Sequence, residues 1–379
     1  MYTPSTTHDK VHQVENGLRR ARSGANGHPT GLRLADRMAH HRVPGASIAV
    51  VDRAALDWAR GYGVLAAGAA EPVRPDSLFH ACSMSKFVTA LAALRLVARG
   101  VLDLDEDVNR TLKGWQVPEN ALTRAHPVTL RRLLTHQSGI VDPEGSFDPL
   151  RAGEEMPAAV DVLAGRTRFH PGPVEVTVEA ECDFNYSDAG FCVVEQLLVD
   201  ATGKRFEALV QELVFGPAGM TRSLFQRDAS LGGAQNAACG HDARGQVIPG
   251  ERAVHPCRAA AGLWSTPGDL AQLLVGLMHS LEGGGTLLPH DLAWEMITPH
   301  GCVDWAGLGV FVDQPGQERS LFIQGCGLGF QCVLAAFPLL GMGAVVMTNS
   351  DPGQPQSRAL TGEIMRGIGH AYGWPDATG

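Results

Sequence analysis

The sequence predicts an α/β protein of the α+β kind: an antiparallel sheet built from both ends of the chain, flanked by helices, with a mostly helical inserted domain. Three observations predict it. Short apolar runs with strand character occur near residues 46–64 and again from 309 to 348. The chain between them carries apolar residues at helical spacing, punctuated by glycine and proline. Short turns join the C-terminal strands, as in antiparallel pairing.

The elements follow in order. Leu32 to His41 has helical spacing and is broken at Val43-Pro44-Gly45. Ala46 to Val51 is a strand, and Leu56 to Val64 a second one after a short turn. Phe79 to Lys86 opens a long helix. Asp76 and Ser77 stand ahead of it, Leu91, Leu94 and Val97 lie at helical spacing, and Gly100 is the stop. Leu102 to Val108 is an acidic turn into a short helix. Val128 to Gly139 starts at a Thr129 cap and ends at glycine. Residues 141–180 are rich in Pro, Gly and acids and read as a long loop over a site. A helix from Cys192 to Thr202 stops at Gly203, and the Pro217-Ala218-Gly219-Met220 turn closes another. Thr266, Pro267 and Asp269 take the N-cap, N1 and N3 positions of a further helix. Gly309–Val312, Leu321–Gln324, Phe330–Phe337 and Gly343–Thr348 are antiparallel strands, and a helix from about Ser357 to Tyr372 follows. The expected division is a loose leader at 1–28, with room for a short helix, a sheet-containing domain at 29–80 plus 300–379, and a mainly helical domain at 81–299. A pocket is expected at the seam.

Composition narrows the classes. With 379 residues, 44% hydrophobic and 19% charged, the chain is long enough for a large core and is not disordered in character. The net charge of −9 is dispersed and no basic block invites nucleic acid. No run of about 18 apolar residues suggests a membrane span, and no apolar signal-peptide core follows the polar N-terminus, so a cytoplasmic location is expected. The eight cysteines include no C-x-x-C and read as reduced, small apolar side chains. There is no H-E-x-x-H, and no metal or other cofactor is expected. Gly325-x-Gly327-x-Gly329 has the wrong spacing for a dinucleotide loop, and the G-x-S-x-G of α/β-hydrolases is missing.

The chemistry concentrates in Phe79-His80-Ala81-Cys82-Ser83-Met84-Ser85-Lys86. Ser83 and Lys86 are three apart and share a helix face. A nucleophilic serine needs a base, and its reaction makes an oxyanion. This stretch offers a lysine to the first and free helix N–H groups to the second. S-x-x-K alone is a weak pattern, and a capped surface helix with a solvated lysine produces it as well. The apolar run after Lys86 points to burial, which can lower a lysine pKa and make it a base. His136 reads as a histidine bonded to backbone near a helix end.

Taken together, several motifs in one order resemble the serine β-lactamase and penicillin-binding-protein superfamily, in particular its esterase, D-peptidase and transacylase-like members. They are Val43 to Ala49, Phe79 to Lys86, Leu133 to Gly139, Tyr186-Ser187, Pro217 to Met220, Gly262-Leu263-Trp264 and Met347-Thr348-Asn349, and the similarity runs from about residue 32 to 374. The resemblance implies a β-lactamase/transpeptidase-like fold, acylation of Ser83, deprotonation helped by Lys86, and a proton shuttle at Tyr186 with Lys86 supplying the positive charge beside it. Two departures stand out. Asp188 takes the place of the asparagine in Y-x-N, where a carboxylate would bind Lys86 or repel an anionic substrate. The third motif, K-T-G or H-x-G in such families, reads Phe322 to Phe330 here, with Ile323 or Gln324 at the cation's place. Backbone N–H groups of Cys326 or Gly327, beside that of Ser83, would form the oxyanion hole.

The expected function is therefore a serine hydrolase or transacylase acting on an ester or amide of a small molecule, such as a secondary metabolite, with an amine or alcohol as a conceivable acceptor. It is not expected to be an efficient β-lactamase, nor to bind nucleic acid or membrane. The alternative is a catalytically weak binding or sensing module on the same fold. Loops 141–180 and 225–258 are expected as substrate walls.

Overall fold

The computed structural model of the protein describes residues 6–21, 31–151, 153–180, 183–227, 231–313 and 318–375. Its main sheet has six strands: β1 (Gly45–Asp52), β2 (Ala55–Gly63), β3 (Phe311–Asp313), β4 (Ser320–Gly327), β5 (Phe330–Phe337) and β6 (Met342–Thr348). Their spatial order is β2-β1-β6-β5-β4-β3, and every neighbouring pair is antiparallel. Thus β1, from the first part of the chain, pairs with β6 from the last, Ala46 opposite Thr348 and Val51 opposite Gly343.

Both faces of this sheet are covered, and the two-residue period of a strand distributes the side chains. Ala46, Ile48 and Val50 of β1 join Ala344 and Val346 of β6 in a smaller core. Ala49 and Val51 join Val345 and Met347 in the larger core on the other face. Three helices close the smaller core: α1 (Thr7–Asn16), α2 (Leu34–His41) and, at the C-terminal end, a helix over Leu360–Tyr372.

The first of these is the short helix that the sequence left room for in the leader at 1–28. Within its described part, Thr6 caps α1 through a reciprocal capping box with Asp9. Val11, Val14 and Leu18 are buried against β1, β6 and the C-terminal helix. Burial of each such side chain contributes about 1.5–3 kcal/mol, enough to dock a ten-residue helix that would not persist alone. In sequence the apolar residues of this stretch are too few to stand out among polar ones.

On the other face lies the helical part, with its centre at α3 (Ser85–Ala98). Its buried residues point in all directions, Phe87, Val88, Leu91 and Leu94 included, so this helix is surrounded by protein. Against it pack α4 (Asp188–Thr202) and the short helix Arg258–Ala261, while α5 (Pro267–Leu281) covers the sheet. Thr266 caps α5 as expected, but Asp269 turns away and receives Arg222 N–H and Ser223 Oγ–H, each at 2.8 Å. A small sheet of Phe79–His80, Leu263–Ser265 and Leu224–Phe225 leads the chain into α3. Among the described residues, no helix is long and apolar enough to cross a membrane.

One buried ion pair ties the terminal helices together. Arg37 on α2 donates to both oxygens of Glu363, Nε at 2.6 Å and Nη2 at 2.7 Å, and His41 Nε2 lies 3.2 Å from the same carboxylate. Burial alone would raise the Glu363 pKa; the bonds from His41 and Arg37 outweigh it and hold the group at about 2 against an ordinary 4.5. A depressed carboxylate stabilises the fold above its unfolded pKa and loses that contribution as pH falls toward the folded one, here on the order of 3 kcal/mol. Glu363→Gln is therefore expected to lower unfolding stability at neutral pH by roughly 3 kcal/mol. Urea melts of both proteins should converge as the pH falls below about 4.5. A gap independent of pH would mean that packing, not charge, links these helices.

Candidate active site

The chain enters the nucleophile turn from the small sheet. Phe79 and His80 pair with Ser265 and Trp264, so the helix expected from Phe79 begins later, after a short 3-10 turn at Cys82–Met84. Cys82 sits in the left-handed region, φ 47°, a conformation that costs a non-glycine residue about 1 kcal/mol. His80 braces it by accepting Cys82 N–H at Nδ1, 3.2 Å. Ser85 Oγ–H donates to Cys82 O at 2.6 Å, and Ser85 Oγ accepts Leu263 N–H at 3.0 Å. Ser83 is thereby presented, half-buried, at the N-terminal turn, where N–H groups lack helical partners.

Lys86 lies one turn on and is buried. Its Nζ donates to Ser83 Oγ at 3.3 Å, to Asp188 Oδ1 at 2.6 Å and to Ala260 O at 3.2 Å. An ammonium has three donors, and all three are used. Burial by itself would lower the pKa, as the sequence reading expected. Asp188 and Tyr186 outweigh it, and the ammonium is held well above its ordinary value. For Asp188 burial works toward protonation, and Lys86 and His255 override it, so the carboxyl lies far below the usual carboxylate range. Its second oxygen is 3.3 Å from His255 Nε2. The His255 Nδ1 lies 3.1 Å from Cys257 N and 3.0 Å from Cys257 O, which fixes the ring with Nε2 facing the carboxylate.

Asp188 thus pairs with Lys86, the first of the two roles open to it in the sequence, and is not among the described residues that line the pocket beside Ser83. The expected helix from Cys192 begins earlier, at Asp188, with Ser187 as N-cap accepting Gly190 N–H at 2.9 Å. Asp142, which no sequence pattern singled out, completes this helix start. Its carboxylate accepts Asp188 N–H at 2.6 Å, Ala189 N–H at 3.2 Å and Ser187 Oγ–H at 2.7 Å. Negative charge is favoured at that end of the helix.

Tyr186 immediately precedes the cap and is 43% exposed. Its ring stacks on His136, 4.3 Å between centroids, and Lys86 Nζ lies 4.6 Å from the ring centre. His136 accepts Ser187 N–H at Nδ1, 3.0 Å, in agreement with its reading as a backbone-bonded histidine. Burial, then Lys86, lower its pKa to about 3, so it is neutral at physiological pH.

The edge of β4 supplies the remaining wall. Gly325 passes against the nucleophile turn: a Cβ there would stand 2.6 Å from Ala81 O and 2.8 Å from Cys82 Cβ. Leu328 and Gly329, φ 56° and 82°, form a two-residue hairpin loop to β5. Gly327 and Phe330 close that hairpin, so antiparallel alternation turns the Cys326 N–H away from β5. Strand β3 pairs only with residues 320–322, which leaves the Cys326 N–H on the open edge of β4, while the Gly327 N–H belongs to the hairpin.

A pocket with about 340 Å³ of unfilled space, part of it open to solvent, is bounded by Ser83, Lys86, Tyr186, Ile323 and Gln324. Ile323 is buried and Gln324 exposed, and both are neutral. Loops 141–180 and 225–258 do not line this pocket. Residues from both meet across a separate cleft bordered by Leu328 and Gly329. The near wall is made by Phe184 and by residues 306–311, which sequence reasoning passed over.

A family model described as Beta-lactamase matches residues 33–365. Penicillin-binding protein 4 of Amycolatopsis lactamdurans is 30% identical over 192 residues, 50% of this chain and 47% of its own. Esterase EstB of Burkholderia gladioli is 33% identical over 186 residues, 47% and 46% of the two chains. Unguisins hydrolase ungD of Aspergillus violaceofuscus is 25% identical over 257 residues, 63% and 42%. The chain spans less than half the length of each of these three relatives. Among solved structures, the D-amino acid amidase of Ochrobactrum anthropi SV3 superposes with a TM-score of 0.71 at 20% identity, over 96% of this chain and 98% of its own. The octameric penicillin-binding protein homologue of Pyrococcus abyssi gives 0.70 at 23% identity, over 88% and 75%. At these identities the structures speak for the fold, and the family match spans most of the sequence. The chain belongs to the beta-lactamase family of serine hydrolases.

Proposed function

We propose that the protein forms an acyl-enzyme on Ser83 from a neutral ester or amide of a small molecule and passes the acyl group to water or to an alcohol or amine. The observation that carries this reading is the Lys86 ammonium, fixed between Ser83 Oγ and Asp188. Because Lys86 donates to Ser83 Oγ, the hydroxyl proton is free to leave in another direction. In the proposed mechanism the phenolate form of Tyr186 receives it and becomes the phenol, and the charge on Lys86 favours negative charge on the oxygens it borders. Tyr186 then returns the proton to the leaving group. The Ser83 and Cys326 N–H groups hold the oxyanion. Lys86 acts here as a fixed cation and not as the resting base.

The esterase, hydrolase and amidase names among the similar proteins support an ester or amide substrate. A β-lactam carboxylate would find no free cation among the pocket-lining residues: Ile323 and Gln324 are neutral, Lys86 is committed and His136 is uncharged. Poor β-lactam turnover follows. This constellation also favours an enzyme over a binding module, because a module has no use for a committed buried ammonium beside an accessible serine.

Intact mass spectrometry after incubation with a fluorophosphonate and with an ester and amide library tests the reading. Ser83→Ala should abolish labelling and turnover with the fold intact, and near-wild-type turnover would sink the assignment. Cys82→Ala, which alters a neighbouring thiol that faces His80, should still be labelled.

Lys86→Ala and Tyr186→Phe should each lower kcat/KM by on the order of 10²–10⁴. Since both serve one proton path, the double variant should lose less than the product of the two; multiplicative losses would show independent roles.

For Asp188→Asn, the position of the carboxylate behind Lys86 predicts a loss of rate that is equal for an anionic ester and its neutral methyl ester. A change in that ratio, measured as kcat/KM in both proteins, would put Asp188 in contact with substrate after all.

A further inference from the structure

Four aromatic rings, Phe184, Tyr186, Phe311 and Phe322, line the pocket with Ser83, and a fifth, Trp305, packs against two of them; they come from segments that are distant in sequence. Phe184 lies 4.4 Å from Trp305 and 6.1 Å from Phe311, centroid to centroid, and Trp305 lies 5.7 Å from Phe311. Tyr186 continues the array, 6.5 Å from Phe311. Phe322 is the cross-strand partner of Phe311. Three of the five are among the exposed large hydrophobic side chains of the molecule: Tyr186 at 43%, Trp305 at 38% and Phe322 at 38%. Apolar surface gathered in this way at the mouth of a pocket marks a place where a ligand covers it. Ile323 adds an aliphatic floor at the position where a cation was looked for.

We infer that this wall is the subsite for the leaving group, and that it takes a neutral alcohol or amine bearing an aromatic or bulky apolar group. The inference rests on the acyl-enzyme reading above. A residue that returns a proton to the leaving atom must touch that atom, and Tyr186 is itself part of the wall. The group held by the wall is therefore on the leaving side of the scissile bond. In acylation the Ser83 Oγ–carbonyl bond forms, the carbonyl–O(alkyl) bond breaks, and the serine proton reaches the departing oxygen through Tyr186. By microscopic reversibility an acceptor alcohol enters the same subsite, gives its proton back along the same path and displaces Ser83. An aromatic alcohol held there occupies the position of the attacking water, so the wall favours transfer over hydrolysis.

The test uses acetate esters of alcohols with matched leaving ability: propyl, 3-phenylpropyl and a propyl chain ending in carboxylate. Wild-type kcat/KM should favour 3-phenylpropyl over propyl by about 10- to 100-fold, and the carboxylate should fall below propyl. Trp305→Ala and Phe322→Ala, compared per Ser83 labelled by fluorophosphonate, should each shrink the phenylpropyl-to-propyl ratio severalfold. Leu339→Ala, an exposed apolar residue on a distant turn, should not. With 3-phenylpropanol added, the wild type should form more transfer product than with propanol. A phenylpropyl-to-propyl ratio near one in a labelled, active enzyme would overturn the subsite and leave the acyl-enzyme reading standing. So would a Trp305→Ala effect that appears only when the acyl group is varied under a constant alcohol. Absence of Ser83 labelling would overturn both.

Discussion

A buried ammonium needs three acceptors and a compensating charge, and the seam of this protein is built to supply them. Lys86 finds a hydroxyl on its own helix, a carboxylate at the start of α4 and a carbonyl from the short helix Arg258–Ala261. Removing Asp188 would leave an uncompensated charge in a poorly solvating interior, which is far more costly than the loss of an exposed pair. The three segments are therefore held in a fixed relation, and the position of Ser83 relative to Tyr186 follows from it.

Each acceptor is itself anchored. Asp142 collects the free N–H groups at the start of α4 and so orients Asp188 and the preceding Tyr186. Ala260 is placed by an ion pair in which Arg258 donates to Glu195, 2.6 Å, while Glu195 accepts Ala259 N–H at 3.1 Å and Thr89 Oγ–H reaches Ala259 O at 2.9 Å. His255 holds the far side of Asp188. Polar groups that are fully paired in this way specify one arrangement of their helices. The sheet contributes differently: Gly325 lets β4 lie directly on the turn that carries Ser83, and hairpin register leaves the Cys326 N–H on the open edge of that strand.

The resulting site has its charge behind the nucleophile and apolar rings in front of it. That division suits chemistry in which negative charge develops only at the reacting atoms. It also agrees with the neutral third-motif strand, since the neutral substrate proposed above would bring no carboxylate for that strand to hold.

Much of this was legible in the chain. Ser83 and Lys86 at helical spacing, the Tyr186-Ser187 pair ahead of a helix, the Thr266 cap and the alternating strands at both ends are local patterns, and local patterns survive in sequence. What the chain did not reveal depends on contacts between residues far apart. Burial pushes a lysine toward neutrality, and only the arrival of Asp188, 102 residues away, reverses the sign. Ile323 and Gln324 are neighbours that a strand sends to opposite faces, and the choice between Cys326 and Gly327 turns on which hydrogen bonds close a hairpin. Docking of the polar helix Thr7–Asn16 needs the apolar face presented by β1, β6 and the C-terminal helix. The aromatic wall joins residues 184, 186, 305, 311 and 322, which no periodicity connects. The sequence by itself showed Ser83 and Lys86 at helical spacing, the long apolar helix that follows them and a sheet built from both ends of the chain. The tertiary structure decided the pairing of Lys86 and the apolar character of the pocket, because a side chain's partners and orientation depend on neighbours that only folding brings together.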